Sequence, residues 1–116
     1  MGVFARTTFL MRTHEEFANS KLYGKSKSSH NLVISAYKSA DLTHAKFGII
    51  TTKKIGNAVV RNKLRRRIKS LILSDLILFQ SQPYYFVVIL RKNARQASFS
   101  TLQEDWNRIL RQFNIK

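Results

Sequence analysis

Apolar positions recur along this chain at helix-like and strand-like spacings, and together they divide it into elements. Thr13-His14-Glu15-Glu16 forms a capping box, with Thr13 as N-cap and Glu16 three residues on, and Leu22-Tyr23-Gly24 closes the segment. This predicts a short helix over residues 13–23. The polar stretch GKSKSSHN that follows reads as a loop. Residues 32–37 read as a strand, KSADLTHA as a connection, and residues 46–52 (KFGIITT) as a second strand. Val60, Leu64, Ile68, Leu71 and Ile72 are then spaced by 4, 4, 3 and 1, one stripe of a helix over residues 58–74. Asn57 is its expected N-cap, and Gly56 permits an unusual backbone turn ahead of it. FQSQP closes the next connection. YYFVVIL is almost unbroken in its apolar character, as expected of a central strand covered on both faces. Ser100-Thr101-Leu102-Gln103 can form a second capping box, and Leu102, Trp106, Ile109, Leu110 and Phe113 mark a closing amphipathic helix. The order is α-β-β-α-β-α, with no repeat and no internal boundary. Residues 1–116 are expected to form one domain, with residues 1–9 as a flexible N-terminal arm.

Charge changes this picture. The 116 residues are 44% hydrophobic, with 4 Gly and 1 Pro, a composition that folds, yet the formal net charge is +15. Self-repulsion of that size destabilises a compact state, so a polyanionic partner is the natural reason to keep it. Nucleic acid leads, and an anionic membrane surface comes second. With no Cys, disulfides, thiolate nucleophiles and Cys-based zinc sites are excluded, which fits a reducing compartment. No apolar run is long enough to cross a bilayer. The acid-free start MGVFARTTFLMR is similar to an organellar transit peptide, but a short arm is the preferred reading, and a cytoplasmic location is expected.

The charge is concentrated in KKIGNAVVRNKLRRRIK, residues 53–69, which holds eight Lys or Arg and no acid. On a helix, Arg61, Arg65 and Lys69 share a face away from the apolar stripe, Asn62 and Arg66 lie beside them, and Lys63 and Arg67 flank that row. Like charges four apart destabilise a free helix slightly; burial of the stripe offsets this at roughly 1.5–3 kcal/mol per fully buried Leu or Ile. A solvated face normally mixes signs, whereas all six acids of this chain lie outside residues 42–74. A row of phosphates would turn repulsion into attraction, and Arg suits bidentate phosphate contacts.

TTKKIGNAVVRNKLRRRIKSLI resembles the signature of the bacterial ribonuclease P protein subunit, in which a strand ends in Ser/Thr-Lys-Lys and runs through Gly-Asn-Ala-Val-x-Arg-Asn-Arg into a basic helix. Lys53, Lys54, Gly56, Asn57, Ala58, Val59, Arg61 and Asn62 match in register. Lys63 stands where the family usually has Arg, and Arg65 where it usually has Lys. EEFANSKLYGK resembles the family's first helix: Phe17 and Gly24 match, while Lys21 stands in place of a second aromatic. YYFVVILRKNA resembles its late strand ending in Arg.

The resemblance implies an α+β fold. It would be a single-domain α/β sandwich with a central mixed sheet and flanking helices, ribosomal protein S5 domain 2-like, with a left-handed βαβ crossover against the usual handedness. The family's order is α-β-β-β-α-β-α, one strand more than the pattern shows. It further implies a holoenzyme whose catalyst is a large RNA, which removes the 5′ leader of precursor tRNA by phosphodiester hydrolysis. Mg2+ ions, bound mainly by the RNA, would activate the water and stabilise the leaving oxygen. The protein would pair one-to-one with ribonuclease P RNA through Asn57, Arg61, Asn62, Lys63, Arg65, Arg66 and Lys69. It would bind the leader in a cleft between the first helix and the sheet, with Phe17, Lys21, Lys53, Lys54 and Arg91 as candidates. Phe17 has two readings, core packing or a stacking platform for a leader base. Lys21 would supply a phosphate contact where relatives stack.

The residues point independently to a non-catalytic protein. A two-metal nuclease needs converging carboxylates. Glu15-Glu16 and Glu104-Asp105 are expected in first helical turns, where dipole and capping explain them. Asp41 and Asp75 stand alone. His14, His30 and His44 are isolated and read as surface residues with no metal-ligand spacing. Trp106 reads as core. Two rival classes remain: a basic ribosomal or RNA-chaperone protein that only binds structured RNA, and a helix-turn-helix DNA-binding protein, which requires a helix just before Gly56.

Overall fold

The computed structural model describes residues 24–116. Strands β1 (Lys25–Ser28), β2 (Leu32–Lys38), β3 (Lys46–Ile50) and β4 (Tyr84–Leu90) form one sheet in the order β1-β2-β4-β3. β1 with β2 and β2 with β4 are antiparallel, and β3 with β4 is parallel, so the sheet is mixed. A parallel pair requires a long crossover. Here it is supplied by helix α1 (Ala58–Ser74) and a single turn, α2 (Leu76–Phe79). After β4, a 3-10 helix (Lys92–Gln96) leads into α3 (Phe99–Gln112). The expected helix at 13–23 and the arm at 1–9 lie outside the described residues.

Strand alternation decides which side chains meet the helices. Leu32, Ile34 and Ala36 of β2, Phe47 of β3, and Phe86, Val88 and Leu90 of β4 share the core with Leu64, Ile68, Leu71 and Ile72 of α1 and Leu102, Trp106, Ile109 and Leu110 of α3. The two stripes read from spacing are therefore the buried faces. At the centre the rings of Phe47, Phe79, Phe86 and Trp106 pack against one another. Phe79 meets Phe47 edge-on at 4.8 Å and Phe86 at 5.5 Å, and Trp106 lies 6.1 Å from Phe79. Such offset and edge-on contacts suit the ring quadrupoles. The Trp106 indole N–H is not stranded there: it donates to Asp75 Oδ2 at 2.8 Å. β4 lies between β2 and β3, and Phe86, Val87 and Val88 are all buried, so successive side chains on both faces are covered. This is the arrangement its unbroken apolar run predicts.

Four features depart from the sequence expectations. The stretch read as a loop contains β1, whose four residues KSKS are all exposed. An edge strand with no buried side chain has no apolar alternation to read, and its lysines discourage pairing with another chain. The strand at 46–52 ends at Ile50, because Thr51 and Thr52 lead into a turn closed by Ile55 N–H donating to Thr52 O at 3.1 Å. α2 follows α1 directly, where only a connection is expected. Finally, α3 is capped by Ser98, not Ser100: Ser98 is extended and its Oγ accepts from Thr101 N–H at 3.1 Å.

That shift of the cap bears on the acids. Asp105 is not in a first turn; it sits in the second turn of α3, 5% exposed, and accepts from Asn31 Nδ2 at 2.8 Å. Asn31 is itself buried in the β1–β2 connection. Arg108 approaches Asp105 from solvent at 3.9 Å. The pair pins the hairpin to the last helix, and removing one partner strands the other's polar atoms in the core. Asp105→Ala is expected to lower unfolding stability by about 1–3 kcal/mol in urea titrations. Asp41→Ala, at an exposed position, should change it by less than about 0.5 kcal/mol. Equal effects of the two substitutions would remove the structural role assigned to Asp105.

Candidate nucleic-acid interface

The cationic surface is built from the end of β3 onward. Ile55 is 1% exposed and anchors the turn that follows the strand, which throws Lys53 and Lys54 out into solvent. Gly56 then adopts φ +157°, a backbone that L side chains rarely take, and a Cβ there would lie 3.1 Å from Val60 Cβ. Asn57 is extended (φ −74°, ψ 178°), and its Oδ1 accepts from Val60 N–H at 3.0 Å, starting α1 where spacing predicts. With Leu64, Ile68, Leu71 and Ile72 buried, the helix orientation is fixed. Arg61, Arg65 and Lys69 lie half-buried along one flank, where aliphatic stems can lie on apolar surface with their charged ends in water. Asn62, Lys63 and Arg66 are exposed. α1 carries no acid in its first turn.

The structure thus brings Asn57, Arg61, Asn62, Lys63, Arg65, Arg66 and Lys69 onto one helix, with Lys53 and Lys54 at its approach. β3 and β4 run parallel, so their C-terminal ends lie at the same end of the sheet, which places Arg91 there too. Arg91 is exposed, and its guanidinium donates to Ser29 O at 2.9 Å, which holds it against the β1–β2 turn. Phe17 and Lys21 lie outside the described residues. Asn57 is more constrained than its place among the RNA-binding candidates suggests: its Oδ1 serves the cap, leaving the amide Nδ2 for a ligand. Arg67 is half-buried and donates to Ala97 O at 3.0 Å, tying α1 to the segment before α3.

Two exposed cations lie beyond the candidates read from the sequence. Lys92 and Arg95 are exposed on the 3-10 helix that α1 packs against, and they extend the positive surface. The acid-free run RKNARQ is the signal that could have found them. Val59, a residue of the motif, is 76% exposed in the first turn of α1, an apolar spot among cations.

The described acids are otherwise engaged or isolated. Asp75 accepts from Trp106 and from Lys116 Nζ at 3.1 and 3.2 Å, and Asp105 is held by Asn31. Among the described residues no three His, Asp or Glu side chains are grouped to hold a metal. His30 is exposed, while His44 is half-buried with Nδ1 2.9 Å from Ala45 O, so it is less of a surface residue than expected. Trp106 is fully buried, as expected.

An acid-free, cation-lined helix braced on an α+β sheet defines a nucleic-acid-binding domain. The comparisons give its family. A model of the family described as Ribonuclease P matches residues 4–114, and the chain belongs to that family. It is 31% identical over 106 residues to the "Ribonuclease P protein component" of Streptococcus agalactiae serotype III, covering 91% of this chain and 94% of that one. It is 34% identical over 77 residues to the component from Mesoplasma florum, covering 66% and 70%. The RNase P protein of Staphylococcus aureus superposes with a TM-score of 0.86 at 22% identity, covering 92% of this chain and 96% of that one. That of Thermotoga maritima gives 0.78 at 24%, covering 88% and 94%. These two structures share the fold.

Gly56→Ala tests how the helix start is held. The left-handed backbone and the crowding at Val60 should together cost about 1–3 kcal/mol of stability, read as a lowered urea midpoint. An unchanged midpoint would show that the turn relaxes without strain.

Proposed function

We propose that this chain is the protein subunit of a ribonuclease P holoenzyme, binding the catalytic RNA through α1, with Phe17, Lys21, Lys53, Lys54 and Arg91 as the candidate residues for the 5′ leader of precursor tRNA. The observation that carries the reading is the acid-free helix α1, which begins in the family motif and holds its apolar stripe in the core while its cations stay accessible. The helix-turn-helix alternative fails, because the segment before Gly56 is strand β3 and a turn. A basic protein that merely binds structured RNA accounts for the charge but not for the match over residues 4–114.

Cleavage on this reading belongs to the RNA. The described carboxylates do not fit a Mg2+ site: Asp75 and Asp105 are committed to Trp106, Lys116 and Asn31, and Asp41 and Glu104 are isolated and exposed. The chain's own contribution is to bind and position. Cations on α1 neutralise RNA phosphates, and the surface at the sheet's end orients the leader, with one copy of the protein per RNA.

Purified protein should therefore leave precursor tRNA intact, and addition of a bacterial ribonuclease P RNA with Mg2+ should restore accurate 5′ processing. Robust cleavage by RNA-free protein would overturn the assignment. Replacing Arg61, Arg65 and Arg66 together by Ala should lower the slope of log affinity against log salt for the catalytic RNA by about 2–3, the value for three lost phosphate contacts. An unchanged slope would place the RNA elsewhere. Phe17→Ala should weaken the reconstituted holoenzyme's binding of precursor, but not of mature tRNA, by about 5- to 150-fold. Equal loss for both would assign Phe17 to the core.

A further inference from the structure

A groove on the helix side of the sheet lies at the edge opposite β3, away from the start of α1. Two adjoining hollows form it, of about 290 and 80 Å³, sharing Ala36, Tyr84 and Phe113 in their walls. Lys25 and Lys27 line the larger hollow. They are two apart on β1 and so face the same way, opposite Ala36 and Ile34 of β2, whose side chains point into the core. Across the groove stand the rings of Tyr84 and Phe113, each half-buried and braced on Phe86, at 5.7 Å for Tyr84 and 6.4 Å for Phe113. Asn114, at φ +60°, and Gln112 add amides to the rim. Among the described residues, no acid lines either hollow.

Edge protection explains lysines on an outer strand. It does not explain why both point to the face that carries a cavity, nor why the opposite wall is aromatic. Adjacent cations and rings are the combination that holds single-stranded nucleic acid, with the ring under a base and the ammonium on its phosphate. The larger hollow falls just below the roughly 300–1,000 Å³ of sites for drug-sized ligands, which suits about one nucleotide.

We infer that this groove is a second RNA contact, taking one unpaired nucleotide, with its base against Tyr84 and Phe113 and its phosphate between Lys25 and Lys27. It rests on the reading of the chain as an RNA-binding subunit. β1 and β3 are opposite edges of the sheet, so RNA engaged on α1 and RNA in the groove are different segments. The protein would then clasp its RNA across the helical layer instead of along one helix.

The test is chemical-shift mapping of the full chain with a five-nucleotide single-stranded oligouridylate, with inorganic phosphate as a second probe. Saturable shifts are expected at Ala36, Tyr84, Phe113 and Asn114. Tyr84→Leu should weaken the groove's affinity about 5- to 150-fold. Lys25→Gln with Lys27→Gln should lower its salt slope by about 1–2 and leave the shifts on α1 in place. The α1 variant lacking Arg61, Arg65 and Arg66 should retain groove binding. Loss of catalytic-RNA binding in that variant reports on the subunit assignment, and the groove shifts report on this site, so the two can fail separately. Shifts confined to α1, indifference to the lysine substitutions, or equal shifts with inorganic phosphate alone would overturn the nucleotide site.

Discussion

Repulsion among the cations of α1 is held in check by burial on the helix's other side, and the remainder of the molecule is arranged around that balance. Arg61, Lys63, Arg65, Arg66, Arg67 and Lys69 fall within less than three turns with no acid between them. Such a helix gains little from its own side-chain pairs and would be marginal alone. Leu64, Ile68, Leu71 and Ile72 are each no more than 4% exposed, and at about 1.5–3 kcal/mol apiece their burial outweighs like-charge pairs costing a few tenths each. The sheet and α3 supply the surface on which that burial occurs, and Arg67, spent on Ala97 O, fastens the cationic helix to the segment leading into α3. One cation of the row thus serves the fold, and the others remain available.

The parallel pairing of β3 and β4 then decides where the remaining charge gathers. In open sheets, ligands collect beyond the carboxyl ends of the strands, where loops and helix starts converge. Here β3 runs into Lys53, Lys54 and the capped start of α1, while β4 runs into Arg91, Lys92 and Arg95. Antiparallel β2 brings its N-terminal end and the preceding Ser29 to the same place, where Arg91 is caught. A crossover between neighbouring parallel strands therefore joins two cationic segments that are far apart in sequence.

What was legible in the sequence follows from the range of each interaction. The start of α1, both apolar stripes and the central place of β4 rest on local caps, local spacing and an unbroken apolar run, and the local sequence predicts them. β1 left no trace because it buries nothing. Asp105 departs from expectation because its partner, Asn31, is 74 residues away, and no local pattern separates a buried acid from a dipole-neutralising one. The capping box at Ser100 is a sound local pattern, yet the backbone is already helical at Phe99, which makes Ser98 the cap. The groove beside Lys25 and Lys27 was invisible for the same reason as Asp105, since its walls come from β1, β4 and the end of α3.

The motif itself divides differently once its atoms are placed. Gly56 supplies a backbone that other residues resist, Asn57 spends its Oδ1 on Val60 N–H, and Val60 joins the apolar stripe. These residues build the helix start. Lys53, Lys54, Val59, Arg61, Asn62 and Lys63 remain free to meet a ligand, and most of them are cations. Long-range attraction to a polyanion carries little information about which polyanion it is, because phosphates are alike. Selectivity must then come from geometry: a cap and a strained turn that fix where the first cations project, and a flank whose spacing is set by the buried stripe. On the proposed reading, the residues that build the helix start determine which RNA shape the projecting cations can match.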